Sequence, residues 1–241
     1  DRLWAAMAPV REISIGMLGL GVVGSGVAEI LTRKRAELER EIGLPVRLAK
    51  VLVRDADKRR DFALDPSLLT TDPAEVLENP TVNMVVEVMG VEEPAGAYLR
   101  RAMQAGKHVV TDKVMCLNVA EADAMIAARD RNGVMLSVFH NRRWDWDYLT
   151  VRRVIEQGLL GQPYLFEQAV TNFRRPGGWR AEAAQSGGIL YDWGAHLVDQ
   201  SLQLVHARVV DVWCSIKYGG WGIDIGNYAK LVLRFADGTA A

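Results

Sequence analysis

The sequence predicts an α/β protein: a doubly wound parallel sheet, followed by a smaller α+β domain with an antiparallel sheet. Three observations carry that expectation. Short apolar runs alternate with amphipathic helical stretches from residue 12 to about 140, the pattern of parallel strands joined by crossover helices. A glycine-rich turn, Gly19-Leu20-Gly21-Val22-Val23-Gly24, separates the first apolar run from the first helical one. Beyond residue 140 the texture changes. Six of the seven tryptophans lie at or after position 144, and the extended segments lengthen without helices between them, as in an antiparallel sheet. The expected domains are 12–140 and 141–241.

The elements follow in order. Glu12 to Leu18 is mostly apolar and reads as the first strand. In the helical stretch that follows the turn, Val23, Val27, Ile30, Leu31 and Leu38 stand near helical spacing with charges between them. Gly43-Leu44-Pro45 ends it, and Val46 to Val53 reads as the next strand. Pro73 to Glu78 is a short helix, Met84 to Val88 a strand, Pro94 to Ala105 a helix and Lys107 to Thr111 a strand. Asn118 opens a helix to Arg131, with Glu121 at the capping-box position and Asn132-Gly133 as the stop. Val134 to Phe139 closes the first domain as a strand. In the second domain, Trp146 to Gln157 reads as a helix and Gln162 to Phe173 as a strand. A loop with Arg174-Arg175-Pro176-Gly177-Gly178 precedes a helix from Tyr191 to Val205, then strands Val209 to Tyr218 and Tyr228 to Phe235. There is no internal repeat and no low-complexity segment.

Composition narrows the function. The 241 residues are 49% hydrophobic and 24% charged, enough apolar material for a folded globular chain. Lys plus Arg number 29 against 30 Asp plus Glu, and both halves are near balance, so neither nucleic acid nor an anionic membrane surface is an expected partner. The only cysteines, Cys116 and Cys214, are far apart in sequence, which excludes a disulfide scaffold and any CxxC metal or redox site. No metal is expected. No apolar run approaches the ~18 residues needed to span a bilayer, and the first residues lack a secretory pattern, so the expected location is the cytoplasm. Residue 1 is Asp and Met7 reads as the natural start. The chain stops just after Asp237-Gly238, where another strand is expected, so the second domain reads as truncated, with an unpaired sheet edge. Its sheet is the surface through which a homo-oligomer would form.

The glycine turn carries the first chemistry. Gly19 permits a tight turn, Gly21 lets a pyrophosphate approach the backbone, and Gly24 lets the helix pack on the strand. The helix N-terminus favours the anion. With Val22 and Val23 these glycines form the expected cofactor cradle of a Rossmann-type domain. Cofactor choice is read at the end of the second strand, where an acid binds the ribose 2′-hydroxyl of NAD and an arginine accommodates the 2′-phosphate of NADP. Arg54 favours NADP, Asp55 could serve NAD, and Lys58 adds attraction for phosphate. NADP leads.

Asp192 and His196 are four apart, on one face of the expected helix, and Asp199 follows at the next i+3 position. A histidine there can take a proton from a hydroxyl while hydride leaves the same carbon. The structural alternative is a capping Asp192 and a core His196. His140 and Asn141 follow the last strand of the first domain. They line either the nicotinamide or substrate site or a hydrogen-bonded hinge.

Two family resemblances run along the chain. Residues 13–111 resemble the cofactor domain of homoserine dehydrogenases, through Ile15 to Gly26, Val53-Arg54-Asp55, Val85 to Gly90 and Ala105 to Thr111. Residues 116–238 resemble the Gfo/Idh/MocA family, through Leu117 to Ala122, Phe139 to Asp145 and Gly187 to Gln200. The second resemblance implies a catalytic set of Lys113, Asp192 and His196, with His196 as acid/base and Lys113 at the cofactor and substrate. His140 and Asn141 join Asp192 and His196 as expected substrate contacts. In that family's pattern a proline follows the lysine, whereas here Asp112-Lys113-Val114 stands. The implied function is an NAD(P)-dependent oxidoreductase acting on CH–OH groups of a polyol, inositol or sugar-like small molecule, with NADP ahead of NAD. Homoserine dehydrogenase and a non-catalytic dinucleotide-binding hybrid are the alternatives.

Overall fold

The computed structural model describes residues 11–60, 62, 64–90, 94–172 and 174–241. Met7 and Phe173 lie outside the described residues. The chain divides into two compact units, and the division falls between Phe139 and His140.

In the first unit β1 (Ile13–Leu18) leads to α1 (Val22–Arg33), α2 (Arg35–Ile42) and β2 (Val46–Leu52). Then come β3 (Leu69–Thr70), α3 (Ala74–Leu77), β4 (Met84–Glu87), α4 (Ala95–Gln104), β5 (His108–Asp112), α5 (Val119–Asn132) and β6 (Leu136–Phe139). Among the described residues the six strands form one parallel sheet in the order β3-β2-β1-β4-β5-β6. The winding reverses between β1 and β4, so the carboxyl ends of those strands flank the crevice where such sheets bind ligands.

Successive β1 side chains alternate between two cores, as a strand covered on both faces requires. Ile15 and Met17 pack with Ala28, Val46 and Val51. Leu18 packs with Leu77, Val85, Leu99, Met103 and Val109. Each such fully buried side chain contributes about 1.5–3 kcal/mol of transfer free energy. Gly16 falls on the second face, where a Cβ would sit 2.7 Å from Val76. α3 can close on β1 only because that carbon is absent.

The amino edge of this sheet is sealed by hydrogen bonds. The Asn83 side chain accepts from Ser14 N and donates to the Glu12 carbonyl. The buried Lys107 donates Nζ to the carbonyls of Asn79 and Val82, and desolvation lowers its pKa. His108 Nδ1 accepts from Met135 N. α5 begins as its sequence requires: Asn118 Oδ1 accepts from Glu121 N, the Glu121 carboxylate accepts from Leu117 N, and Gly133 ends the helix in the left-handed region.

Two features differ from expectation. The single helix expected through Leu38 breaks at Lys34, which leaves helical geometry at φ −105° and ψ 17°. The apolar stripe runs out there: α1 buries Gly24 and Ala28, whereas α2 buries nothing. β3 was not expected, because two residues are too few to display a strand's alternation.

The second unit holds α6 (Trp146–Glu156), α7 (Ala183–Ser186), a π-helical turn (Leu190–Gly194) leading directly into α8 (Ala195–Leu204), and the antiparallel pair β7 (Val209–Tyr218) and β8 (Gly226–Phe235). Val205, Leu233 and Phe235 form its core with Phe166 and Val198 packed against them. The strand expected over Gln162 to Phe173 is not one. Among its described residues the only pairing is an isolated bridge from Leu165 to Ala240, with Phe166 N donating to the Ala240 carbonyl. Its partner is the short return of residues 239–241 along β8, where Leu233 and Ala241 exchange both backbone hydrogen bonds. No helix among the described residues is long and apolar enough to cross a membrane.

Glu87, buried at the end of β4, accepts from Thr111 Oγ1 and from Met89 N. Burial pushes its pKa up despite these donors, because desolvation penalises the charged form. A folded pKa above the unfolded one means that Glu87's contribution is fully present below about pH 4.3 and is lost as pH rises through the folded value. Glu87→Gln cannot ionise, so its stability should gain on wild type across that window. Urea unfolding of both proteins at several pH values tests this, and a pH-independent difference would refute it.

Candidate functional site

The three glycines of the first turn are not equivalent. Gly19 has φ +103°, and a Cβ there would lie 2.9 Å from the Val88 carbonyl oxygen. At Gly24 a Cβ would lie 2.5 Å from the Gly19 carbonyl oxygen. The fold itself needs both. A Cβ at Gly21 meets nothing within 4 Å, and its φ of −82° suits any residue. Nothing inside the protein explains Gly21, whereas an approaching pyrophosphate does. α1 starts at Val22 without a side-chain cap or an acidic residue in its first turn, which leaves its N–H groups to an external anion. Val22 is 94% exposed and Val23 51%. The cradle fits a dinucleotide.

At the end of β2 the two candidate selectors have different surroundings. Asp55 Oδ1 accepts from the backbone N–H groups of Asp57 and Lys58, and Arg60 donates to the Asp55 carbonyl. The exposed Arg54 side chain has no hydrogen-bond or ion-pair partner among the described residues. Lys58 is likewise exposed. Lys113 directly follows β5, its N–H donates to Asp112 Oδ1, and the Lys113–Val114 peptide is cis.

In the second unit His196 is buried in the first turn of α8. The rings of Trp193 and His140 meet it edge-on, with centroids 6.1 and 6.4 Å away. Asp199, almost one turn on, is held bidentately by Arg143 and lies 3.9 Å from His140 Nδ1. Gln200 Nε2 donates to the Arg142 carbonyl, while the Arg142 guanidinium lies 4.1 Å over the Trp193 ring. Arg142 and Arg143 therefore tie the 3-10 turn Asn141–Trp144 to α8 and Trp193. Asn141 itself is exposed.

Asp192 sits inside the π-helical turn, and its Oδ2 accepts from Arg180 Nε at 2.8 Å. Such a turn closes i→i+5 hydrogen bonds, so the step from Asp192 to His196 is not the straight helical face that spacing implied. Arg180 and Arg143 are the residues that sequence reasoning missed. Their carboxylate partners stand 12 and 56 positions away, beyond any local periodicity. The one available signal was a run of arginines in a Gly/Pro-rich loop. Among the described residues no group of His, Cys, Asp and Glu could hold a metal ion.

A doubly wound sheet with a glycine cradle beside its switch point defines a dinucleotide-binding chain, here continued by an antiparallel unit. Residues 148–241 match the GFO/IDH/MocA C-terminal domain, and residues 19–138 match the NAD binding domain of homoserine dehydrogenase. It is similar to scyllo-inositol 2-dehydrogenase (NADP(+)) of Bacillus subtilis, at 32% identity over 81% of this chain and 52% of that protein. The homoserine dehydrogenase of the same organism is 37% identical over 50% of this chain and 28% of its own length. An NAD-binding protein from Listeria innocua, solved by crystallography, aligns over 96% of this chain and 64% of its own with a TM-score of 0.81 and 26% identity. The chain spans about half or less of these curated relatives.

Gly21→Val should leave thermal stability nearly unchanged while weakening NADPH and NADH binding at least about tenfold, since a branched side chain would occupy the pyrophosphate's approach. Fluorescence titration beside thermal melts tests this. Unchanged affinity in the folded variant would overturn the cradle assignment.

Proposed function

We propose that the chain carries the cofactor-binding and acid/base parts of an NAD(P)-dependent oxidoreductase acting on a CH–OH group of a polyol, inositol or sugar-like substrate. The observation that carries this reading is the buried imidazole of His196, fixed between Trp193 and His140 at the start of α8. A restrained histidine of this kind is suited to taking a proton from a hydroxyl and returning it. When bound, the nicotinamide supplies the hydride acceptor or donor. His196 holds the proton, Asp192 joins the proposed set four positions before it with its carboxylate held by Arg180, and Lys113 stands where the family pattern has a lysine that favours charge on the reacting oxygen. His140 and Asn141 are assigned to substrate. The B. subtilis inositol dehydrogenase matches across both units, which supports this reading over a homoserine dehydrogenase, whose likeness stops within the first unit. His196→Ala should lower turnover by roughly 10²–10⁴-fold, the usual loss for a general acid/base, with little change in cofactor affinity. Steady-state assays with inositols and sugars beside NADPH titrations test this, and turnover that survives the substitution would sink it.

NADP is the proposed preferred cofactor. Asp55 is engaged by its own loop while the Arg54 side chain is unpaired among the described residues, which suits a 2′-phosphate better than a ribose hydroxyl. Arg54→Ala should raise the Kd for NADPH much more than that for NADH, and equal losses would move the discrimination elsewhere.

A further inference from the structure

A cleft in the second unit is lined by Arg174, Arg180, Asp192, Trp193, Trp221 and Asn227, with apolar and small residues completing its walls. Its charges do not cancel. Arg180 is paired with Asp192 at 2.8 Å, whereas the exposed Arg174 side chain has no hydrogen-bond or ion-pair partner among the described residues. Among the described residues Arg174, Arg180 and Asp192 give the lining one net positive charge. Trp221 sits at φ +57°, the one non-glycine described residue in the left-handed region. A bulky side chain there is strained, and such strain is kept where surrounding structure needs the side chain in place. A flat indole face, an amide and an unpaired guanidinium make up the surface that a pyranose ring bearing a carboxylate would contact.

We propose that this cleft selects a polyhydroxy carboxylate, a sugar acid, with Arg174 as the specificity-determining residue for the carboxylate. The proposal rests on the oxidoreductase reading in one respect: Asp192 both lines the cleft and belongs to the proposed catalytic set, so a ligand held there would lie beside the reacting groups. A lone guanidinium matches a monoanionic carboxylate in bidentate fashion. A phosphate dianion would call for more donors than the cleft offers.

Binding can be read without turnover. Isothermal titration of the full chain with glucuronate, glucose and glucose 6-phosphate should favour glucuronate. Arg174→Gln should weaken glucuronate binding by about 10- to 100-fold, the range for a lost charged hydrogen-bond pair, and leave glucose binding unchanged. Arg174→Lys should recover part of the loss. Equal affinity for the three probes, a preference for glucose 6-phosphate, or glucuronate binding indifferent to Arg174→Gln would overturn the proposal. NADP-linked turnover measured in parallel separates the two readings. Glucuronate selectivity that depends on Arg174 without any hydride transfer supports the cleft assignment and removes the oxidoreductase one. Turnover of neutral polyols unaffected by Arg174→Gln, with no preference for glucuronate, does the reverse.

Discussion

Gly19 and Gly24 approach so closely that a single methyl group would separate them. A Cβ at Gly24 would lie 2.5 Å from the Gly19 carbonyl oxygen and 3.2 Å from a Val88 methyl. That contact lets α1 start at once after β1 and rest on the ends of β1 and β4 where the winding order reverses. With the contact made, Ala28 reaches the core beside Ile15 and Met17, and the first-turn N–H groups are left open above the crevice. The cradle is thus a by-product of tight packing, and Gly21 alone is free of it.

The second unit depends on ionic ties instead. Arg143 with Asp199, and Arg142 with Trp193 and Gln200, join the turn after β6 to α8. Arg180 with Asp192 joins the preceding loop to the π-helical turn. Fully exposed ion pairs contribute little, but the side chains of Asp192 and Asp199 are each only 11% exposed. Leaving either carboxylate without its arginine would be costly. The two rings that meet His196 are themselves beside charged groups: Arg142 lies over Trp193, and Asp199 lies 3.9 Å from His140 Nδ1.

What could be read from the sequence divides along the same line. The strand, turn and helix around Gly19, and the start of α5, were legible because their signals are local: a short, mostly apolar run, fixed glycine spacing, and a capping residue at Asn118 three positions before Glu121. The break at Lys34 was visible only as an apolar stripe running out, and β3 was too short to show alternation. Gln162 to Phe173 had strand-like composition, but composition does not reveal pairing, and among its described residues only the isolated bridge at Leu165 forms. The histidine of the candidate site was legible through the Gly187–Gln200 stretch. Its supporting arginines were not, since a contact between residues 56 apart leaves no trace in spacing. The π-helical turn was equally hidden, because it changes hydrogen-bond register without changing residue type.

The two edges of the parallel sheet are built to unequal tolerances. At the amino edge, Asn83 and the buried Lys107 lock β1, β4 and β5 through hydrogen bonds that only those side chains can make. At the carboxyl edge, Gly21 faces open space and Val22 and Arg54 face solvent, so folding places few demands on their identity. Sequence variation arising over generations would be filtered harshly at the amino end and at Gly19 and Gly24, and leniently at Gly21, Val22 and Arg54. Selection for a new ligand could then act on those lenient positions without endangering the architecture, which lets one scaffold be reused for many ligands.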